Sequence, residues 1–544
     1  MIINKHRITR SICFLLLLAL NSGAATTTLA QQERQRRAVA PVSTAPPAAA
    51  ANAAISTGGA PRTVEELRAR ISEVLRRPEL APAMMAVTVA SLDTGRTIFE
   101  ENADKLLRPA SNMKIFTVAA ALDRLTPDYR FSTSVYAPAR ADATGTVRGD
   151  LIVYGRGDPS IAARFNNGDY HKGIEELAAR IKASGVKRVE GDLVGDESYF
   201  TGAPYGMGWT WDDLTWYFGA EVSALSVNDN ALDLFVKPGM SVGAQCTVTT
   251  GPVTPLMTIN NRTTTVPAGT KREVSVYRAL GENVIEVGGH LPLDDPGFTA
   301  GVAISHPALV FIYMLRSALA EQGIIITGKS RSVDARERKG VPLQTSALVE
   351  IASLQSPPLS VIAAQTLKVS QNLYAELLLR ALGKVGGVTP AAAATALTSD
   401  EAGVEAVKAF LSQAGIRAGG LVITDGSGLS RRDMITADAT LQLLVYMSKH
   451  RYASAFREAL PVAGVDGTLK GRMKGTVAAY NIRAKTGTIS GVATLSGYVT
   501  SAANERLAFS IMLNNYAETS DSPRSHIDAI AVLLASFNGR SQPQ

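Results

Sequence analysis

Apolar residues repeat with the period of an α-helix just after residue 63 and over much of the second half of the chain. After Thr63, a favoured N-cap residue, the run VEELRARISEVLRR predicts a helix with one apolar face. That face consists of Val64, Leu67, Ile71 and Val74. The same period predicts further helices over 172–184, 306–323, much of 360–460 and 524–537.

Other stretches alternate between apolar and polar residues, which is typical of strands. Two such runs flank Asp93-Thr94-Gly95 and predict a β-hairpin. Residues 493–500 and 506–516 predict a second antiparallel pair. Residues 127–300 are rich in Gly, Pro and short alternating runs, so we expect mainly β structure there.

The order of these patterns indicates a domain interrupted by an insertion. Helix and strand patterns at both ends of the chain flank the β-rich middle. We therefore expect an α+β fold, an α/β sandwich, in which residues 63–126 and 301–540 form one discontinuous domain. Residues 127–300 would form one or more inserted, mainly-β domains.

The first 30 residues have the three parts of a secretory signal peptide. A basic start precedes an apolar run from Ile12 to Leu20, and small residues follow. We expect cleavage after Ala30, and Gly23-Ala24-Ala25 is a second option. The run is shorter than the roughly 20 apolar residues that span a bilayer, although an uncleaved segment would act as an anchor. Residues 31–62 are rich in Ala, Pro, Gln, Ser and Thr and predict a disordered linker.

The charge of the chain does not favour nucleic-acid binding, and its cysteines do not predict an intramolecular disulfide. The formal net charge is +7, but residues 1–37 hold six Lys or Arg and one acid, so the rest of the chain carries only +2. This balance gives no reason to expect nucleic-acid binding. Cys13 lies in the predicted leader, which leaves Cys246 without an intramolecular disulfide partner, and we expect it to be a buried, small apolar residue.

The first candidate for chemistry is Ser111-Asn112-Met113-Lys114, at the start of the nearly all-apolar run IFTVAAALDRL. Residues three apart share a helical face, so Lys114 is expected beside Ser111. A serine hydroxyl needs a base to become a nucleophile, and lysine serves when burial and a second cation, here Lys485, favour its neutral form. The structural alternative is a helix cap followed by a lysine that reaches solvent.

Two other stretches fit the same short patterns. Ser184 and Lys187 also stand three apart, but Gly185 between them ends a polar helix, so their side chains would not share a face. Ser226-Val227-Asn228 matches a second pattern of interest, Ser370-Gln371-Asn372, but lies in the β-rich middle. Order and context along the chain therefore decide between the candidates.

A third pattern, Lys485-Thr486-Gly487 followed by Thr488, occurs once in the chain. It places a cation and two hydroxyls along a predicted strand, and these groups suit a carboxylate. Gly487 within the strand would let a ligand approach the backbone closely. The backbone N–H groups of Thr488 and Ser111 are candidates for an oxyanion hole. The alternative is an edge strand protected by a lysine.

In this order, the three patterns resemble the S-x-x-K, S-x-N and K-T-G motifs of penicillin-binding proteins and β-lactamases. The long interval between Ser111 and Ser370 resembles the class C low-molecular-mass penicillin-binding proteins, the D-Ala-D-Ala carboxypeptidase/endopeptidase family of the penicillin-binding protein 4 type. Gln371 stands where the motif often has Asp, which bears on substrate preference. Further similar stretches are 157–160, 222–228, 425–430 and 491–498.

The resemblance implies a role for each matching residue. Ser111 would be the acylated nucleophile and Lys114 the base that activates it. Ser370 would relay a proton to the leaving amine, and Asn372 would contact the substrate backbone or Lys114. Asp158 of the insertion would approach the site.

The same resemblance implies where the substrate binds. Lys485, Thr486, Gly487 and Thr488 would form the pocket for its terminal carboxylate. The substrates would be peptidoglycan stem peptides, cleaved in the periplasm by a serine-type D-Ala-D-Ala carboxypeptidase or D-alanyl endopeptidase. β-Lactam antibiotics would act as covalent inhibitors, no metal or other cofactor would be needed, and the protein would associate peripherally with membrane or wall.

Two alternatives stay open. One is a β-lactamase or esterase on the same scaffold, although the chain has no convincing counterpart of the class A deacylating glutamate between Ser370 and Lys485. The other is a non-catalytic module that binds the cell wall. The chain keeps all four residues expected of a catalytic site, which argues against this alternative: Ser111, Lys114, Ser370 and Lys485.

The remaining patterns indicate no separate function. Arg156-Gly157-Asp158 spells an integrin-type tripeptide in a strand-turn context, and the six histidines lack a metal-binding spacing. A cluster of aromatic residues would either pack inside the insertion, as we expect, or stack on sugar or peptide. Its members are Tyr205, Trp209, Trp211, Trp216 and Tyr217.

Overall fold

The computed structural model describes residues 59–385, 397–516 and 523–541, so the predicted leader 1–30 and most of the linker 31–62 lie outside the described residues. Within these ranges no helix is long and apolar enough to cross a membrane.

Helices α1 to α10 span Val64–Leu75, Met113–Leu125, Lys172–Ala183, Pro307–Glu321, Leu359–Lys368, Asn372–Val385, Ser399–Gln413, Ala437–Ser448, Ala453–Ala459 and Arg524–Ser536. Strands β1 to β19 span Met84–Ser91, Thr97–Glu101, Ser132–Ala137, Thr146–Arg148, Leu151–Tyr154, Arg188–Glu190, Leu193–Asp196, Ala231–Lys237, Thr247–Gly251, Thr258–Val266, Glu273–Arg278, Val284–Pro292, Phe298–Ala303, Ile325–Ile326, Ser330–Val333, Val349–Gln355, Arg483–Ile489, Val492–Thr500 and Arg506–Asn514.

Strands from both ends of the described chain form one antiparallel sheet in the order β17-β18-β19-β1-β2. β1 pairs with β19 along its whole length, from Met84 opposite Asn514 to Ser91 opposite Leu507. The predicted hairpin is β1–β2 and the predicted second pair is β18–β19, so both are confirmed. Gly95 supplies the positive φ of 75° in the hairpin turn.

Helices cover both faces of this sheet. Successive residues of a strand point to opposite faces, so Val87 and Val89 of β1 pack with α1 and α10, whereas Ala86 and Ala90 pack with α2 and α5 to α9. Thr63 caps α1 by accepting from Glu66 N at 3.1 Å. The result is an α/β sandwich, which confirms the predicted fold class.

A second body of structure lies between α2 and α5. Its five-stranded sheet has the order β15-β7-β5-β3-β16, and three smaller sheets are β14-β6-β4, β13-β8-β9 and β10-β12-β11. Helices α3 and α4 share a core with the five-stranded sheet. Cys246 is buried among the smaller sheets as a free thiol, as the sequence predicts.

The sequence predicted that the insertion ends at residue 300, but elements after this residue also pack with the inserted segment. β15 pairs with β7, β16 pairs with β3, and α4 packs in the same core. Residues 307–355 therefore pack with the inserted segment and not with the sheet of terminal strands. The helical period over 306–323 predicted α4 correctly, but a period does not indicate which sheet a helix covers.

Candidate active site

Ser111 lies in a 3-10 turn, Ala110–Asn112, that leads directly into α2, a helix with nearly every side chain buried. Lys114 is completely buried, and its Nζ lies 2.8 Å from Ser111 Oγ. The spacing argument therefore placed these two side chains correctly, and the alternative of a lysine that reaches solvent is wrong. Ala110 has a positive φ of 45°, which is uncommon for a residue other than glycine.

The competing serines make structural contacts instead. Ser184 ends α3, where its Oγ donates to Ile181 O at 2.6 Å. Ser226 Oγ donates to Ser223 O at 2.8 Å within the inserted segment. Both side chains stabilise local turns, as expected for short patterns outside their context.

Lys114 Nζ has three oxygen neighbours, which match the three N–H groups of an ammonium as well as the two N–H groups and lone pair of a neutral amine. Besides Ser111 Oγ, it lies 2.5 Å from Asn372 Oδ1 and 2.7 Å from Ser427 O. The amide and carbonyl oxygens can only accept a hydrogen bond, whereas the serine hydroxyl can also donate one. A neutral lysine has two N–H groups and one lone pair, which match two acceptors and one hydroxyl donor.

Burial sets the charge of both lysines in the site. It lowers the pKa of Lys114 to about 7, although the charges of Asp425 and Glu376 act in the opposite direction. Burial, and then the like charge of Lys114, hold the pKa of Lys485 well below its usual range. The sequence predicted that burial and a second cation, Lys485, would together favour neutral Lys114. Burial is the main cause of the lowered pKa of Lys114, and the like charge acts on Lys485.

Ser370 stands two residues before the first residue of α6 in a left-handed conformation, with φ of 64°. Its Oγ lies 2.9 Å from Lys485 Nζ, which also donates to Thr486 O at 2.7 Å. A non-glycine residue in this region costs of order 1–3 kcal/mol and persists where its surroundings hold it. The second and third motifs therefore meet through the Ser370 and Lys485 side chains.

Asn372 links the site to the inserted segment. Its Nδ2 donates to Phe218 O at 2.8 Å, which orients the amide so that Oδ1 faces Lys114. Sequence reasoning assigned no role to Phe218, because a backbone carbonyl leaves no signal in side-chain patterns.

Gly487 is required by a close approach between two parts of the chain. A Cβ built there would lie 2.7 Å from Pro109 O and 2.2 Å from Thr494 Oγ1, so any side chain would push β17 away from the turn that holds Ser111. The sequence predicted that a ligand would need this space, whereas the chain's own backbone occupies part of it. Thr494 Oγ1 also donates to Pro109 O at 3.0 Å.

The threonines of the third motif differ in environment. Thr486 is buried and its Oγ1 donates to Thr468 Oγ1 at 2.8 Å, whereas Thr488 is exposed. Thr468 is therefore a neighbour of the site that the motif search missed. The sequence did not point to Thr468, because this residue belongs to none of the three patterns.

The loop 425–430 contacts both the turn that holds Ser111 and the side chain of Lys114. Gly428 has φ of 77°, and a Cβ there would lie 1.8 Å from Ala110 O, next to Ser111. Asp425 ties the loop together by accepting from the backbone N–H groups of Ser427, Gly428 and Ser430. The sequence marked this stretch only as similar to a family, without a role for its residues.

Four further residues that the sequence analysis singled out have distinct places. Gln371 is buried, and neither polar atom of its side chain has a hydrogen-bond partner. Asp158 is also buried, which raises its pKa to about 6; its Oδ1 accepts from Ser160, while Oδ2 has no partner. Trp209 Nε1 donates to Asp425 Oδ2 at 2.8 Å, whereas Trp211 is 71% exposed. The aromatic cluster is thus only partly packed.

In the part of the chain that the structure describes, no group of three or more His, Cys, Asp or Glu side chains could hold a metal ion. The chemical groups that converge here are two serine hydroxyls, two buried lysines, the side-chain amide of Asn372 and the carbonyl of Ser427. Such a set can perform acyl transfer by nucleophilic attack.

Comparison with known proteins places the chain in a family. The profile of the D-Ala-D-Ala carboxypeptidase 3 (S13) family matches residues 67–537. A D-alanyl-D-alanine carboxypeptidase of Actinomadura sp. (strain R39) is 35% identical over 490 residues, which cover 88% of this chain and 86% of that protein. The D-alanyl-D-alanine carboxypeptidase DacB of Haemophilus influenzae is 28% identical over 437 residues, with 78% and 84% covered.

The fold agrees with these sequence matches. The crystal structure of penicillin binding protein 4 (dacB) from Haemophilus influenzae has a TM-score of 0.73 and 25% identity, and the match covers 86% of this chain and 99% of that one. The resemblance inferred from the three motifs is confirmed. The chain belongs to the D-Ala-D-Ala carboxypeptidase 3 (S13) family and is a serine peptidase.

Proposed function

We propose that this protein removes the terminal D-alanine from peptidoglycan stem peptides, and opens cross-linked D-alanyl bonds, through an acyl-enzyme on Ser111. The observation that carries the assignment is the 2.8 Å contact between Ser111 Oγ and a buried Lys114 whose other two contacts are acceptors. Family membership supports the substrate class, and this geometry supports the choice of nucleophile and base.

In the first step, Lys114 accepts the hydroxyl proton of Ser111 while Oγ attacks the carbonyl carbon of the penultimate D-alanine. Asn372 Oδ1 and Ser427 O hold the two N–H groups of Lys114, so its lone pair is directed at the serine. The backbone N–H groups of Ser111 and Thr488 would stabilise the oxyanion that forms.

The leaving amine then needs a proton as the C–N bond breaks. Ser370 Oγ is the candidate relay, since Lys485 Nζ lies 2.9 Å away and can replace the proton that Ser370 gives up. Water next attacks the ester carbon and gives one proton through Ser370 to Lys485, which regains the proton it supplied. The shortened peptide leaves, and Ser111 recovers its proton from Lys114. Every proton is thereby returned within one cycle.

The terminal carboxylate of the substrate would bind at Lys485, Thr486 and Thr488. Because burial and Lys114 hold the pKa of Lys485 well below its usual range, the empty pocket disfavours a second cation. A carboxylate brought beside Lys485 favours its charged form. We therefore expect substrate binding to be accompanied by proton uptake at Lys485.

We also propose that the protein works in the periplasm and is acylated by β-lactams. The predicted leader 1–30 and the wall-directed substrate of the family support export. The solved Haemophilus influenzae penicillin binding protein 4 has also been crystallised with a β-lactam. Cell fractionation with mass analysis of the mature N-terminus, expected at Gln31, tests the location.

The test of the proposed reaction measures D-alanine release from a pentapeptide that ends in D-Ala-D-Ala. Wild type and Ser184→Ala should release it, whereas Ser111→Ala should not, although all three should unfold at similar temperatures. Release of D-alanine by Ser111→Ala, or its loss in Ser184→Ala, would refute the assignment of Ser111 as the nucleophile.

The same preparation separates the two alternatives. A β-lactamase or esterase would turn over penicillin or an ester rapidly and leave the pentapeptide intact. A non-catalytic module would neither release D-alanine nor form a covalent adduct with penicillin. Cross-linked muropeptides, digested in parallel, measure the endopeptidase activity.

A further inference from the structure

A short 3-10 turn, Gly467–Leu469, lies beside the strand that carries the third motif but belongs to none of the three motifs. Leu469 anchors the turn in the core on one face of the terminal sheet, whereas Thr468 is partly exposed. Thr486 and Thr488 stand two residues apart on β17 and therefore share one face of this strand. Thr486 Oγ1 donates to Thr468 Oγ1 at 2.8 Å, so the turn lies on the face that presents the threonines.

The end of α5 fixes the position of this turn. A Cβ on Gly467 would lie 2.2 Å from Lys368 O, so the close approach requires glycine. Asp466 pairs with the Lys368 side chain through Oδ2, and its Oδ1 accepts at 2.8 Å from a backbone N–H of its own loop. Lys368 is the last residue of α5 and stands two residues before Ser370. The turn that holds Thr468 is therefore attached to the segment that holds Ser370.

The threonine hydroxyls of this region differ in how easily a substrate reaches them. Thr486 is only 8% exposed, whereas Thr468 and Thr488 are more accessible. A hydroxyl group has one proton to donate. Because Thr486 gives its proton to Thr468 Oγ1, it has no second proton for a carboxylate. The Thr468 hydroxyl accepts this bond and keeps its own proton.

This arrangement suits the recognition of an anion. A hydroxyl that accepts one hydrogen bond becomes a better donor in the next, because chains of hydrogen bonds polarise one another. Hydrogen bonds from such a donor to a carboxylate are also stronger than those between neutral groups. A carboxylate that binds at the third motif can therefore receive the Thr468 proton, with the buried Thr486 hydroxyl behind it.

We propose that Thr468 is a specificity-determining residue that donates a hydrogen bond to the terminal carboxylate of the substrate. Thr486 contributes to the pocket by fixing the direction of the Thr468 hydroxyl. The inference rests on the proposed function, because it assumes that a D-alanyl peptide with a free carboxylate binds at the third motif.

The test compares kcat/KM for a peptide that ends in D-Ala-D-Ala with kcat/KM for its C-terminal amide. Thr468→Val keeps the branched shape of the side chain and removes the hydroxyl. We expect the ratio of acid to amide to fall about fivefold to tenfold, because a hydrogen bond to a charged group is lost and the neutral amide loses less. The change should appear mainly as a higher KM for the acid, since this bond forms before the chemical step.

Two variants control for changes in fit. Thr468→Ser retains the hydroxyl and should keep the wild-type ratio, even where its rates are lower. Thr476→Val removes a hydroxyl from the same connection between α9 and β17, where Thr476 donates to Met473 O at 2.7 Å, and it should also keep the ratio. If circular dichroism shows that Thr468→Val does not fold, Thr468→Ala replaces it.

Each result bears on the proposal. A lower ratio in the variant without the Thr468 hydroxyl, with wild-type ratios in Thr468→Ser and Thr476→Val, supports it. A wild-type ratio in that variant, or an equal fall in either control, overturns it. A wild-type protein that releases no D-alanine from the acid would instead refute the proposed function, so the two failures are distinguishable.

Discussion

The burial of Lys114 predicts a change in stability with pH that needs no substrate to detect. Folding lowers the pKa of this lysine from 10.5 to about 7. Between these pH values the unfolded chain holds one proton more than the folded chain at this position, so the free energy of unfolding rises with pH. Each pH unit contributes about 1.4 kcal/mol, which gives about 2.7 kcal/mol between pH 7.5 and 9.5.

The substitution Lys114→Met removes this contribution. We expect the difference in free energy of unfolding between wild type and variant to change by about 2.7 kcal/mol from pH 7.5 to 9.5, in favour of wild type at the higher pH. Lys485 affects both proteins alike in this range, because Lys114 is then mostly neutral. Urea unfolding followed by circular dichroism at pH 7.5, 8.5 and 9.5 measures the difference.

The matched control is Lys408→Met, since the side chain of Lys408 is 43% exposed and only pairs with Glu405 on the helix surface. Its difference from wild type should stay constant over the same range. A constant difference for Lys114→Met, within about 0.5 kcal/mol, would refute the buried, neutral lysine. An equal change in Lys408→Met would show that the slope has another origin.

Three further predictions follow from the site. Lys114→Arg keeps the charge but cannot become neutral, so penicillin acylation should fall about 10²–10⁴-fold, and near-wild-type stopped-flow rates would assign the base elsewhere. Peptides ending in a D-Ala-D-Ala acid should exceed their C-terminal amides in kcat/KM by about one to two decades, a ratio that Lys485→Ala should shrink; equal cleavage of acid and amide by wild type would contradict the carboxylate pocket. Gly428→Ala should abolish penicillin labelling because its Cβ meets Ala110 O at 1.8 Å, whereas Gly415→Ala, at similar φ but in open space, should label normally; labelling of both would contradict the close approach.

Local spacing predicted the parts of the site that a helix or strand fixes by itself. Ser111 and Lys114 are three residues apart where a 3-10 turn continues into α2, and side chains three apart lie on one side of such helical turns. Lys485, Thr486 and Gly487 lie on one predicted strand, which the structure contains as β17. These arrangements need no knowledge of which elements meet.

Contacts made by backbone groups could not be predicted in this way. Phe218 O and Ser427 O orient Asn372 and Lys114, and a carbonyl oxygen is the same in every residue. Their positions depend on how the inserted segment and the loop 425–430 pack against α6 and α2. The packing of residues 307–355 with the insertion escaped prediction for the same reason, because periodicity describes one element and not its neighbour.

The most direct test of the central claim is to find which residue becomes acylated. Wild-type protein is incubated with penicillin, digested, and analysed by fragment mass spectrometry to locate the adduct. We predict a single penicilloyl group on Ser111, absent from Ser111→Ala. An adduct on Ser184, on Ser370 or on any other residue of the wild type would contradict the account.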